Sequence, residues 1–379
     1  MKPKIILIIL VILTALTVWN CKRQEEPNFK SDEKVNKESI NINIGSKQKD
    51  LFFNFDKVTT PERKRNWSNY TITKRLKIGS IENNILLLPS RTKIDENGTI
   101  YILDWADCSV KQFNRKGKYL KKYGKKGKGP GEFTQAADFD ISENGKVVIL
   151  GPNDNKFAVF EDTDEFIESK CSLMPIKLCF VSPTEVATFQ MLDPVNESLF
   201  NKTNYIDGNI SEYQNIFDWG SFGNANFGML PFVIGDIYRN SSNNLVYISS
   251  IMGYVISYNA NRKIENVFKL IDAPHKSGLA EKGGKINGRD AFFYPKKEEY
   301  LFRSSNIFGD KLFVFHDEKT KEGIGYPVDV YSLDEGEYKY SLLLKSDEKP
   351  IYVFTTNEKI AVVKENTEVE ILDYKTEIL

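Results

Sequence analysis

Two histidines, His275 and His316, are all that 379 residues contain. That scarcity excludes a multi-histidine zinc centre and leaves any Ser-His-Asp chemistry to one of two rings. His316 and its neighbour Asp317 end a strand, where adjacent side chains point to opposite faces, so they do not partner each other directly. Cysteine is nearly as rare. Beyond Cys21 only Cys108, Cys171 and Cys179 remain, without CxxC or metal-type spacing. Buried thiols are expected rather than a disulfide framework, a Cys171–Cys179 bridge in an oxidising compartment being the lesser alternative. No sign of charge dominates either: 52 Lys+Arg balance 52 Asp+Glu. No global field therefore draws the chain to nucleic acid. Sustained helical periodicity is almost missing, which excludes a helix-rich fold.

A long apolar run occurs once. Lys2 and Lys4 precede Ile5 to Trp19, followed by Asn20 and Cys21. A basic start and an apolar stretch of this length read as a secretory signal, short for a full membrane span. A cysteine just after the run resembles a bacterial lipobox, whose cysteine is lipidated. Val18 fits that pattern, while Trp19 and Asn20 are bulkier than it prefers, so an uncleaved anchor is the rival. The body is then extracytoplasmic and membrane-tethered. Residues 1–21 form the signal or anchor, the polar residues 22–50 a flexible tether, and 51–379 the folded domain. That domain has core material, since 41% of the chain is hydrophobic and 12% aromatic.

Internal repeats decide the fold class. KIDENGTIYILD (93–104) and DISENGKVVILG (140–151) align almost residue for residue, each a strand, an Asn-Gly turn and a second strand. Weaker copies appear at 181–190, 239–249, 307–317 and 356–365. With Tyr101, Val148, Ala187, Tyr247, Phe313 and Ala361 as equivalents, the spacings are 47, 39, 60, 66 and 48 residues. Two more strands follow each hairpin, and four strands in such a repeat make one blade of a β-propeller. The expectation is an all-β, six-bladed β-propeller. Its last unit stops at Leu379 short of a fourth strand, and the N-terminal strand YTITKRLKIG (70–79) is expected to close it.

The stretch IDENGTIYILD, VKQFNRKGKYLKKYGKKGKGPGEF and FDISENG, in that order over residues 93–160, resembles NHL-type and TolB-like six-bladed propellers. It looks most like those found in Bacteroidota-type envelope lipoproteins. The resemblance implies a fold, an envelope location and a binding role, and carries no catalytic residues across.

KKYGKKGKGPGEF (121–133) has the glycines and lysines of a phosphate loop but not the spacing. It matches neither G-x-x-x-x-G-K-[ST] nor G-x-G-x-x-G, and strands rather than a helix follow. Architecturally it turns the chain between two blades, with Phe133 wedged at their interface and the lysines on an exposed outer strand. The alternative use of its nine basic residues, Lys111 to Lys128, is to meet a polyanion such as an acidic glycan or lipid headgroup.

Two sets of candidate site residues follow from the repeat. Inner strands carry Arg91, Lys93, Asp138, Asp140, Lys177, Asp236 and Arg303 toward the channel. That mixture of signs makes no hard-oxygen calcium cage, and no metal or cofactor is expected. The loops joining second and third strands share a face with the blade-to-blade loops. That face carries Asp104, Trp105, Asp107, Glu132, Asn153, Asp154, Asn155, Asp193 and Asn196, with the segments 218–232 and 275–290. Aromatics among amides and carboxylates suit glycan or peptide recognition, although the same polar residues serve ordinary turns. The reading is a non-catalytic binding module for an envelope protein or glycan. The alternative is a hydrolase or lyase working at the channel mouth.

Overall fold

The computed structural model describes residues 39–40, 58–62, 64–79, 85–162, 165–171, 175–190, 198–216, 233–273, 280–286, 289–293, 300–321 and 323–376. Cys21, Asp193, Asn196 and the segment 218–232 lie outside those residues. Six antiparallel four-stranded sheets follow one another as blades. Blade 1 is Pro89–Ile94, Ile100–Asp104, Ser109–Phe113 and Tyr119–Tyr123; blade 2 is Asp138–Ile141, Val147–Gly151, Lys156–Phe160 and Phe166–Lys170. Blade 3 is Pro175–Ser182, Glu185–Gln190, Phe200–Asn204 and Ile210–Glu212; blade 4 is Gly235–Arg239, Leu245–Ser249, Tyr254–Tyr258 and Ile264–Lys269. Blade 5 is Ser304–Phe308, Lys311–Phe315, Tyr326–Ser332 and Glu337–Leu344. Blade 6 takes Pro350–Thr355, Lys359–Lys364 and Val369–Thr376 from the end of the chain and its outermost strand, Tyr70–Ile78, from near the start.

The first strands of the blades neighbour one another in chain order, and the first strand of blade 6 returns to that of blade 1. They ring the channel. Each second strand is buried on both faces, as a strand between two sheets must be, and so reads as continuous apolar sequence (IYILD, VVILG, LVYIS). Apolar residues cluster between blades, with one cluster at each of the six interfaces. No blade has a core of its own, so each is stable only through its neighbours.

Hairpins at the far face are tight. In blade 1 Gly98, at φ 79°, takes the left-handed turn position, and the Asp95 carboxylate accepts the amides of Asn97 and Thr99 at 2.9 and 2.8 Å. Asn114, Ser142, Asn204, Asn240 and Asn259 organise similar short turns. The loop face is different. Its connections at residues 213–234 and 270–303 are long, and the second holds an extra hairpin, Ala280–Ile286 with Arg289–Phe293, joined by Ser39–Ile40. Among the described residues no helix is long and apolar enough to cross a membrane.

Candidate functional site

Phe133 is fully buried in the cluster shared by blades 1 and 2, among Leu103, Val110, Phe139 and Ile149. A Cβ on Gly151 would stand 2.7 Å from its ring, so the glycine makes room for the wedge. Much of the basic stretch is paired. Lys111 bonds Asp104 and Asp107 at 2.7 and 3.1 Å, Lys121 bonds Asp162 at 2.6 Å, and Lys125 bonds Glu132 at 3.1 Å. Lys122 is 3.8 Å from Asp107, while Arg115, Lys116, Lys118, Lys126 and Lys128 are exposed.

Channel residues meet across blades rather than pointing into open space. Asp138 accepts the Leu178 amide of the next blade at 3.1 Å and lies 3.4 Å from Arg91 of the preceding one. Asp140 repeats this one pleat along, accepting the Phe180 amide at 2.8 Å and Lys93 at 2.6 Å. Each carboxylate is thus a link between a cation behind it and a backbone amide ahead. Asp236 bonds Lys177, accepts Ser305 Oγ at 3.0 Å and stands 4.0 Å from Arg91. Burial opposes its charge, but Lys177 and Arg91 outweigh burial and hold its carboxyl below the ordinary value. Burial, with Arg91 nearby, lowers Lys177. Arg303 stays apart, exposed, donating to the Ile351 carbonyl at 3.2 Å.

Blade 5 uses the same two positions with neutral side chains. Ser304 Oγ accepts the Val353 amide at 3.1 Å, and Asn306 bonds both the amide and carbonyl of Thr355, at 2.8 and 2.7 Å. Ser304 and Asn306 correspond to Asp138 and Asp140, since Asn306 pairs with the repeat position Phe313 as Asp140 pairs with Val148. These residues are blade-to-blade latches.

A second latch recurs at the loop face. Asp104 is fully buried and accepts the amides of Leu87, Leu88 and Ala106 at 2.7, 2.9 and 3.1 Å as well as Lys111. Burial opposes its charge, yet Lys111 and the amides bring its carboxyl below the ordinary value. Asp154 does the same for blade 2, taking Thr134 N at 2.9 Å and Oγ1 at 2.8 Å. In blade 4, Ser250 Oγ donates to the Ile234 carbonyl at 2.9 Å. Asp107 accepts Ser109 Oγ at 2.5 Å, and Glu132 accepts its own loop amide, Gly129, at 2.8 Å. Asn153 and Asn155 are exposed, the latter at φ 48° with its carbonyl accepting the Cys171 amide; Trp105, on the blade 1 loop, is half-buried and packs against the cluster between blades 1 and 2. Cys108, Cys171 and Cys179 are free thiols.

The same latch in blade 5 belongs to a cluster that the sequence does not announce. His316 Nδ1 meets the Leu301 carbonyl at 2.8 Å and Nε2 meets Asp329 at 2.8 Å. Asp329, with a wholly buried side chain, also accepts Ser341 Oγ at 2.5 Å and Arg65 Nε and Nη2 at 2.9 Å each. Arg65 Nη2 also contacts Asp272 and stands 3.5 Å from His316 Nε2. Asp272, His316 and Asp329 bring three potential metal-ligand atoms within 4.8 Å, and the guanidinium of Arg65 stands among them as their cation. The partner of His316 is therefore Asp329, across the hairpin, and not its neighbour Asp317.

Residues 82–261 match the model of a family described as a 6-bladed beta-propeller, DUF5128. No curated protein matches. Among solved structures, a putative exported protein from Bacteroides fragilis NCTC 9343 is 11% identical, with a TM-score of 0.56, 85% of this chain and 100% of that one being covered. A DUF4221 family member from Bacteroides vulgatus ATCC 8482 is 13% identical with a TM-score of 0.56, over 83% and 100%. Virginiamycin B lyase from Staphylococcus aureus is 14% identical with a TM-score of 0.48, over 80% and 99%. The family model and the two Bacteroides structures agree with the blades in one statement: the chain is a six-bladed β-propeller.

Proposed function

We propose that this propeller is a non-catalytic binding module of the cell envelope, tethered through its N-terminus and recognising a protein or glycan partner with its loop face. One observation carries the reading. Channel carboxylates Asp138, Asp140 and Asp236 are each committed to a cation and to a neighbouring blade, whereas the chain places its long connections on the loop face alone. Groups spent on holding blades together are poor proton shuttles, and long loops on a rigid scaffold are where recognition residues gather. On this face the exposed amides of Asn153 and Asn155 and the half-buried Trp105, from neighbouring loops, are residue types that suit sugar or peptide groups. The leader ending at Cys21 supports an extracytoplasmic, lipid- or anchor-tethered location, and the motif order over residues 93–160 supports an NHL-type, TolB-like relative of envelope lipoproteins.

The test is capture of an envelope protein or glycan by the purified protein, followed by affinity measurement. Replacing Trp105 and Asn153 together by alanine is expected to weaken the interaction at least ten-fold, and Asp138→Asn to leave it within two-fold. A stoichiometric bound cation, with turnover lost on neutralising Asp138 or Asp236, would overturn the reading.

A further inference from the structure

Before it becomes the outer strand of blade 6, the chain runs as a strap along blades 4 and 5. Thr59 pairs in parallel with the outer strand of blade 4: its amide donates to the Val267 carbonyl at 3.1 Å and its carbonyl accepts the Lys269 amide at 2.8 Å. Asn66 and Ser68 do the same with Ser341 of blade 5, at 2.8 and 2.9 Å. The Asn66 amide also meets Tyr338 Oη at 2.8 Å. Most strap side chains face water: Thr59, Thr60, Glu62, Lys64, Asn66, Trp67 and Asn69 are exposed. Among the described charged side chains of the strap, Arg65 is the one that turns inward, into the cluster of Asp272, His316 and Asp329.

The place where Arg65 lands matters. The connection 270–303 is the longest on the loop face, and the cluster grips both its ends. Asp272, at the start, bonds Arg65 itself. Leu301, at the finish, is held through its carbonyl by His316, whose other nitrogen shares Asp329 with Arg65. Nearby amides report on this order: Ile271 N donates to Tyr331 Oη at 3.0 Å and Leu301 N to the Ser250 carbonyl at 2.8 Å.

We infer that Arg65 is a positioning residue that couples the N-terminal strap to the loop face: docking of its guanidinium fixes both ends of the 270–303 connection, and withdrawal of the strap loosens them. A strap held by a few edge hydrogen bonds, the half-buried Arg65 and Val58 packed against the core between blades 3 and 4 opens locally, without unfolding the blades. Coupling is reciprocal, so whatever orders the connection also holds the strap down. This device adds to the binding reading and does not depend on what the loop face recognises.

Hydrogen exchange on the intact protein, followed peptide by peptide, tests it. Arg65→Ala is expected to speed exchange at least ten-fold in 58–69, 270–273 and 300–303, with blades 1 to 3 unchanged. Asp272→Asn removes a half-exposed carboxylate and leaves the buried Arg65–Asp329 pair in place. It is expected to speed exchange at 270–273 alone, and it decides the matter if the arginine variant fails to fold. Unchanged exchange at 270–273 and 300–303 in Arg65→Ala, or an equal rise in all six blades, overturns the coupling. So does unchanged exchange at 270–273 in Asp272→Asn.

Discussion

Acid should loosen this propeller at Asp329. Its wholly buried position alone would raise the carboxyl, yet the His316 hydrogen bond and charge, with those of Arg65, bring it from an ordinary 3.8 down to about 2. A group whose folded value is depressed adds stability above its unfolded value and loses it as pH falls toward the folded one. That contribution is therefore complete above about pH 5 and falls away between about pH 4 and pH 2. Lowering a carboxyl from 3.8 to about 2 corresponds to about 2.5 kcal/mol at neutral pH. Asp329→Asn removes the same charge permanently and leaves Arg65 with only the half-exposed Asp272, so it is expected to cost about 2–4 kcal/mol at pH 7. Urea unfolding of both proteins at pH 7, 5 and 3 measures the gap. Between pH 5 and pH 3 the gap should close by roughly half. A gap below about 0.5 kcal/mol at pH 7, or one that does not shrink at pH 3, refutes the account of Asp329 as a paired buried anion.

Two further substitutions probe the architecture. Phe133→Ala empties the wedge between blades 1 and 2 and is expected to cost about 3–5 kcal/mol, read from the urea midpoint, while Phe166→Ala on the exposed outer strand costs under about 1. Asp140→Asn retains an oxygen for the Phe180 amide, as Asn306 does for Thr355, so it is expected to lose less than half of what Asp140→Ala loses in the same measurement; equal losses would show that charge rather than the backbone latch is what matters.

Fold and site were not equally legible in the sequence. The six repeat positions, Tyr101 to Ala361, all fall on second strands, because those strands are buried on both faces and bear the densest apolar code. The Asn-Gly hairpins were legible because turn chemistry is local. Residue types at the channel could be listed from the period of two along an inner strand, but their partners could not. Asp138 needs Leu178, forty residues on, and nothing near Asp138 marks that amide. Asp104 reads as a polar turn residue, and only the arrival of Leu87 and Leu88 buries it. Arg65 was invisible for the same reason taken further: its carboxylate partners lie 207 and 264 residues away, and its local context is a polar linker.

Equivalent positions in different blades show what a charged residue is for. Asp138, Asp140, Ser304 and Asn306 share one ability, an oxygen that accepts the next blade's amide. They differ in what stands behind them. Blade 1 supplies Arg91 and Lys93, and there the acceptor is a carboxylate; in blade 5 it is a hydroxyl or an amide. Charge in blades 1 to 4 is therefore an addition to a latch that works without it, and the channel's alternating signs follow from neighbours matching one another in turn. Along the channel, salt and pH act on the charged latches of blades 1 to 4, while the Ser304 and Asn306 latches between blades 5 and 6 are neutral; the charged cluster of blade 5, around Asp329, lies at the loop face. A position filled by aspartate in one blade and serine or asparagine in another is explained by the repeat and needs no ligand. Under the binding reading proposed above, recognition falls to residues that the repeat does not explain, and these stand on the loop face, where the connections differ in length and sequence from blade to blade.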